Sequence, residues 1–404
     1  MSIAESASEE LAPAPALGRI LREWARIGVL GFGGPPAHIV LLRQLVVERE
    51  RWIDRRQFED AIAASGLIPG PASTQLAIYC AGVLGGRRGA FVGAAGFILP
   101  GFVFVVSLAA VVLAASPPLW ILGAGAGAGA AVPTVAVFAG VQLLPDSLRR
   151  AGAARAGRAR WLAYALAGCA GAALAGASVV LVLLASGLIE LAIRHGRSRP
   201  AATGGSSAPA FGVPVLVALV AAALKTEVHA RIAWMAFKVG ALSYGGGFVV
   251  IPLMHADAVS AFGWMSDAQF LSAVAIGQSA PGPVTNTVAA VGWTAAGLPG
   301  AVLGALFAFA PSVLVIAFAG HHFERVRASA RAQAFLLGSG PAALGAILGS
   351  CVPLATGLEE TWQWVLLAAA AAALLSRRVP LVPVLLGAAL VGVVAANVGA
   401  PIPR

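Results

Sequence analysis

Ile68-Pro69-Gly70-Pro71-Ala72-Ser73-Thr74-Gln75 interrupts a long apolar run, and Ala280-Pro281-Gly282-Pro283-Val284-Thr285-Asn286-Thr287 does the same 212 residues later. Proline costs about 3 kcal/mol in a helix interior and glycine about 1 kcal/mol, so neither run passes this point as a straight helix. Pro71 and Pro283 suit the first turn of a new helix. Ser73, Thr74 and Gln75 in one copy, and Thr285 and Asn286 in the other, then stand in that first turn beside its unpaired amides. In lipid such freed groups need protein, water or a solute as partners. Simple N-capping by Ser73 and Thr285 is the plainer use of the same residues.

The spacing of 212 holds well beyond these breaks. Gly28, Gly33 and Gly34 match Gly240, Gly245 and Gly246; Trp52, Gln57 and Phe58 match Trp264, Gln269 and Phe270; Arg26 falls opposite Lys238. With one residue deleted, Pro100 meets Pro311. Chance identity between apolar segments gives scattered Ala, Leu and Gly, not Trp, Gln-Phe and Pro-Gly-Pro in one register. The chain therefore reads as a duplication. Residues 195–210, basic and rich in Gly, Ser and Pro, form the linker between halves 19–194 and 211–404. Residues 1–18 read as a disordered cytoplasmic tail, without the basic start and apolar core of a signal peptide.

Composition names the solvent. Of 404 residues 59% are hydrophobic and only 11% charged, with a mean hydropathy of +0.87. Soluble domains carry about 25% charged residues, so this chain cannot cover a water-facing surface. There are about 13 apolar segments, most of them long enough to cross a bilayer as helices. Helices are also the open-ended spanning element that lipid permits. The fold class expected is an all-α polytopic membrane protein of about 10–13 segments with Gly/Pro-broken helices, re-entrant in one of the two readings given below. The net charge of +10 does not point to nucleic acid, because the arginines sit in short clusters between apolar runs. Cys80, Cys169 and Cys351 are isolated in apolar stretches and suggest no disulfide framework or zinc site. No Walker loop, catalytic cluster or cofactor motif is present, which argues against an enzyme.

Charge sets the orientation. Arg87-Arg88, Arg149 to Arg160 and Arg194 to Arg199 mark every second loop of the first half as cytoplasmic, whereas the basic loops of the second half, at Arg325 to Arg331 and Arg377-Arg378, correspond to uncharged loops of the first. The halves are thus expected in inverted topology, with segment 211–228 as the odd crossing. Inverted repeats with broken helices are a secondary-transporter architecture whose substrate site lies at the repeat interface. The basic loop 43–56 breaks the alternation. Re-entrant hairpins in both halves remove the conflict; full crossings, with Asp and Glu balancing the arginines, are the competing reading.

A second motif, Gly31-Phe32-Gly33-Gly34-Pro35-Pro36, pairs with Ser243-Tyr244-Gly245-Gly246-Gly247. Exposed amides and a fresh helix start bind oxyanions, although small residues also serve close helix packing. Arg26 and Lys238 are cations inside apolar stretches, where a charge faces a cavity or a partner; Arg26 could instead snorkel to a surface. Gln278 and Ser279 are further polar candidates. His38 and His255 are titratable, each more simply read as a satisfied histidine. No carboxylate falls mid-segment: Glu59, Asp60 and Asp257 lie at edges.

Phe32-Gly33-Gly34-Pro35-Pro36-Ala37-His38, Gly66-Leu67-Ile68-Pro69-Gly70-Pro71-Ala72-Ser73-Thr74-Gln75 and Gly277-Gln278-Ser279-Ala280-Pro281-Gly282-Pro283 resemble the chromate transporter (chromate ion efflux) family in its long two-domain form. The resemblance runs over residues 20–395. It departs at Pro35-Pro36, where a single proline and a small residue are commoner, and at Ala280. It implies export of chromate from the cytoplasm across a bacterial inner membrane, driven by the proton motive force, with sulfate as a structural analogue. Exchange against protons would add driving force. The partners expected are the oxyanion, the bilayer and protons, with no nucleic acid; a homodimer is compatible. A transporter or channel for another anion, or a non-transporting scaffold, are the alternatives.

Overall fold

The computed structural model describes residues 11–65, 70–152, 154–174, 179–195, 226–243, 250–319 and 329–403. Pro69, Gly245, Gly246, most of the linker and residues 211–225 of the expected odd crossing lie outside the described residues. Within them the chain is helical, with no strand.

The first half runs α1 (Leu17–Leu30), α2 (Pro35–Arg43) with a π-helical extension (Gln44–Arg49), α3 (Arg55–Ser65), α4 (Ala72–Val112), α5 (Leu119–Ala130), α6 (Val132–Ala151), α7 (Arg155–Leu174) and α8 (Val179–His195). The second runs α9 (Glu227–Leu242), α10 (Val250–His255) with a π-helical extension (Ala256–Ala261), α11 (Asp267–Ser279), α12 (Thr287–Ala319), α13 (Ala330–Gly349), α14 (Cys351–Thr356), α15 (Thr361–Leu375) and α16 (Leu381–Asn397). Four stretches are long and apolar enough to cross a bilayer: Ala72–Val112, Leu119–Ala151, Val284–Phe318 and Ala330–Thr356. Large side chains such as Leu174, Leu181, Val365 and Leu390 stand outward, as a lipid-facing surface requires.

The duplication is written into the backbone. Both π-helical extensions start at positions 212 apart, and each is followed by a positive φ, at Arg51 (50°) and Gly263 (58°). The next helix is capped alike in both halves. Asp54 accepts from the amides of Arg56 and Gln57, and Ser266 forms a capping box with Gln269. Phe58 and Phe270 anchor these helices in the core.

α4 and α12 are each folded back on themselves. Gly86 and Gly297 both have φ of 59°, which glycine adopts without penalty. Beyond the first turn, a Cβ on Gly93 would lie 2.2 Å from that of Ala81, and one on Gly304 would lie 3.0 Å from the Val288 carbonyl. Residues 12 or 16 apart on a straight helix are ~18–24 Å apart, so these segments are tight helical hairpins. The first arm of α4, residues 72–84, is about 20 Å long, short of the ~30 Å hydrocarbon core. Arg87 and Arg88 sit exposed at the turn, in keeping with their reading as loop residues.

Small residues bring the remaining helices together. Gly123 and Gly127 of α5 press on Gly392 and Ala388 of α16, and Gly345 of α13 presses on the Ala165 carbonyl of α7. Without a hydrophobic force between helices in lipid, such close backbone packing supplies the association energy.

Candidate functional site

Among the described residues, backbone amides at the breaks bond across the halves. The Gly282 amide donates to the Gly31 carbonyl at 3.1 Å, and the Gly70 amide donates to the Ser243 carbonyl at 2.7 Å. Exchanging the halves by 212 residues converts one bond into the other. At the first crossing Val284 reaches Gly34, while Gly101 of α4 is so close that a Cβ would lie 2.4 Å from the Pro281 carbonyl. Asn286 Nδ2 donates to the Ile98 carbonyl at 3.4 Å. At the second crossing Gln75 Nε2 donates to Ser312 Oγ at 3.4 Å, and both lie against Gly70.

Local sequence dictates these shapes. Gly33 (φ 96°) and Gly34 (φ 75°) turn the chain before Pro35 opens α2, and Gly70 (φ 134°) and Gly282 (φ 81°) do so between two prolines. Neither Ser73 nor Thr285 caps its helix with the side chain. Ser73 Oγ is instead 3.1 Å from His38 Nδ1, and Ser279 Oγ bonds the Ala275 carbonyl.

Among the described residues, several buried polar atoms at the breaks have no hydrogen-bond partner: Thr74 Oγ1, Ser243 Oγ, Thr285 Oγ1, Asn286 Oδ1 and both amide atoms of Gln278. Each such group costs about 1–3 kcal/mol, so their gathering in one place points to a ligand or to a second arrangement that satisfies them. Two cavities among the described residues, one of about 280 Å³ beside Gln269 and Ser272 and one of about 170 Å³ beside His255, are lined by residues other than those of the breaks.

The two cations separate. Arg26 is exposed on α1, on the face opposite buried Trp24 and Ile27. Lys238 is half-buried, and its ammonium lies 2.6 Å and 2.9 Å from the buried Asp257 carboxylate oxygens, with side chains 17% and 8% exposed. Asp257 was read from sequence as an edge residue. The π-helical extension carries it inward to meet Lys238. The signal that could have found it is the need of a half-buried lysine for a carboxylate. Glu190 was also missed; it is buried against Arg160, Arg194 and Tyr164. His255 is satisfied by Asp267 at 2.7 Å. Among the described residues no cluster of His, Cys, Asp and Glu could hold a metal.

Comparison with known proteins agrees with this frame. A chromate transporter family model matches residues 18–191 and again 230–393. The chain is 30% identical over 96% of its length, and 95% of the relative's, to the chromate transport protein of Cupriavidus metallidurans. It is 29% identical to that of Pseudomonas aeruginosa, over 89% of this chain and 86% of the relative. It is 27% identical to a probable chromate transport protein of Synechococcus elongatus, over 85% of each. No solved structure matches. With the motifs 32–38, 66–75 and 277–283 inside the matched residues, the chain belongs to the chromate transporter family and is a multi-pass membrane transporter.

Proposed function

We propose that the chain exports chromate, or a similar tetrahedral dianion such as sulfate, across the bacterial inner membrane under the proton motive force. The observation that carries this reading is the reciprocal pair of break crossings, Gly282 to Gly31 and Gly70 to Ser243, ringed by buried unpartnered polar atoms. An anion arriving between the halves would compete with the two carbonyls for the Gly70 and Gly282 amides. The Thr74 and Thr285 hydroxyls and the Gln278 amide supply further donors without a fixed charge. The first helical turns after Pro71 and Pro283 add positive dipole ends. Such donors act on any tetrahedral oxyanion. Pro35, Pro71, Pro281 and Pro283 set the breaks and do not themselves donate. Inverted halves, with the crossings at their interface, would then expose the site to either side in turn.

The driving force follows from charge. Moving one elementary charge through 100 mV is worth about 2.3 kcal/mol, so a dianion leaving a cell of negative interior is helped twice over. The test is uptake of labelled chromate into inverted vesicles, with a protonophore in one arm and excess sulfate in another. Accumulation abolished by the protonophore supports the reading, and sulfate competition would extend it to the analogue. Vesicles carrying the wild-type chain that accumulate no more chromate than empty ones would reject it.

A further inference from the structure

We infer that His38 and Ser73 form a proton latch on the anion site, so that a proton and the anion load together. The inference rests on the oxyanion site proposed above. His38 is fully buried on α2. Its Nε2 lies 2.9 Å from the Gly31 carbonyl, the same carbonyl that accepts from the Gly282 amide, and its Nδ1 lies 3.1 Å from Ser73 Oγ. The edge of the ring meets Phe97, with centroids 4.9 Å apart at 85°.

The carbonyl can only accept, so Nε2 carries a proton in either charge state. In the neutral ring Nδ1 is then a lone pair, and the Ser73 hydroxyl must donate to it. In the charged ring Nδ1–H donates to Ser73 Oγ, and the hydroxyl hydrogen is released to point elsewhere. Protonating His38 therefore converts Ser73 from a donor committed to the ring into a donor open to the anion, and adds a positive charge beside the first crossing.

Among the described residues no charged side chain contacts the ring. On α1, Arg19, Arg22 and Arg26 are exposed and Glu23 pairs with Arg49; on α2 and its extension, Arg43 pairs with Glu48; on α4, Arg87 and Arg88 are exposed. A charged ring and an incoming dianion would supply each other's counter-charge. The second half lacks the device: position 250, equivalent to His38, is Val, and the hydroxyl of Thr285, equivalent to Ser73, is buried without a partner. One hydroxyl is always uncommitted and the other is released by a proton. The sign of this coupling opposes exchange against protons. The unit moved is then the dianion with one proton, net charge −1 in place of the bare dianion's −2, and the membrane-potential part of the proton motive force still drives it outward.

The test is chromate counterflow in liposomes holding the full-length chain, with equal pH on both sides, from pH 8 to pH 6. Chromate's own protonation is common to every variant and cancels in the comparison. The wild-type KM is expected to fall with acid about tenfold further than that of His38→Gln or Ser73→Ala, a typical coupling, while Ser73→Thr keeps the wild-type slope. Equal slopes in all variants would overturn the latch, and so would a wild-type KM that rises with acid relative to His38→Gln. Absence of counterflow at every pH would sink the chromate reading instead. The latch is then decided by proton uptake on adding sulfate, which stays a dianion in this range, to purified protein in weak buffer. Uptake by the wild type and not by Ser73→Ala sustains it; no uptake by the wild type overturns it.

Discussion

At the first crossing the Gly282 amide meets Gly31 and an imidazole, His38, holds the same carbonyl; at the second the Gly70 amide meets Ser243, and Val250 stands at the position equivalent to His38. The flanking arms differ in the opposite sense. In the second half Lys238 of α9 and Asp257 beyond α10 are joined across the break, whereas the first half offers an exposed Arg26 and, opposite Asp257, a buried Leu45. The duplicated backbone is kept, down to the positive φ at 86 and 297, while the polar chemistry has been divided between the copies. On the proposed inverted arrangement, exchanging the roles of the halves would give two equivalent conformations of the crossing. Unequal charges then let a proton or an ion pair favour one of them, because a ligand shifts an equilibrium only through differential contacts.

The largest effect is expected from erasing the steric difference between the crossings. α4 passes the first crossing at Gly101, where a Cβ would lie 2.4 Å from the Pro281 carbonyl and 2.6 Å from Asn286 Nδ2. The equivalent residue of α12, one deletion later, is Ser312, which already carries a side chain. Gly101→Ser therefore installs the second half's residue where the first has no room. Overpacking of this kind costs typically 1–3 kcal/mol, and backbone within a break yields less readily than a side chain. A drop of several degrees in the apparent thermal midpoint in detergent, with chromate flux lost, is the outcome expected. An unchanged midpoint would mean that the first crossing is no tighter than the second.

Next comes the ion pair. Removing one member of a buried pair strands the other charge, at about 3–5 kcal/mol; the 17% exposure of Lys238 puts Asp257→Ala at the lower end of that range. Arg26→Ala, on the exposed counterpart, should stay within about 0.5 kcal/mol. The double variant Lys238→Met with Asp257→Leu, an apolar pair, should recover most of the stability. Its transport then separates two roles for Lys238. Recovered flux makes the pair a strut between the arms; a stable protein without flux keeps Lys238 as an anion ligand, the role its sequence position suggested.

How much of this was legible beforehand depends on how local the cause is. The breaks were readable because Pro69-Gly70-Pro71 and Pro281-Gly282-Pro283 deny a helix through covalent geometry alone. The duplication was readable because Trp52, Phe58 and their partners are core anchors, and Gln269 sits in a capping box. The crossing of unlike breaks was not, since nothing in one sequence says whether Gly70 faces Gly31 or Ser243. Arg26 and Lys238 looked equivalent, yet burial depends on the face of the helix as well as depth along it. Asp257 was hidden by the π-helical extension, which rotates it inward in a way that spacing at 3.6 residues per turn does not foresee.

The smallest effect distinguishes two of the hydroxyls that stand against the breaks, Ser312 and Ser73. Ser312 Oγ accepts from Gln75 Nε2 at 3.4 Å, a long bond between neutral groups. Its loss in Ser312→Ala should cost less than about 1 kcal/mol and lower chromate flux by a factor that is the same at pH 6 and pH 8, because no titratable ring bonds this hydroxyl. Ser73→Ala removes an atom of similar size next to the other crossing, and there the pH slope itself should flatten. If Ser312→Ala flattened the slope as well, the proton would be sensed through both crossings together and the division of labour between the halves would fail. A uniform loss confines proton sensing to the crossing that holds His38.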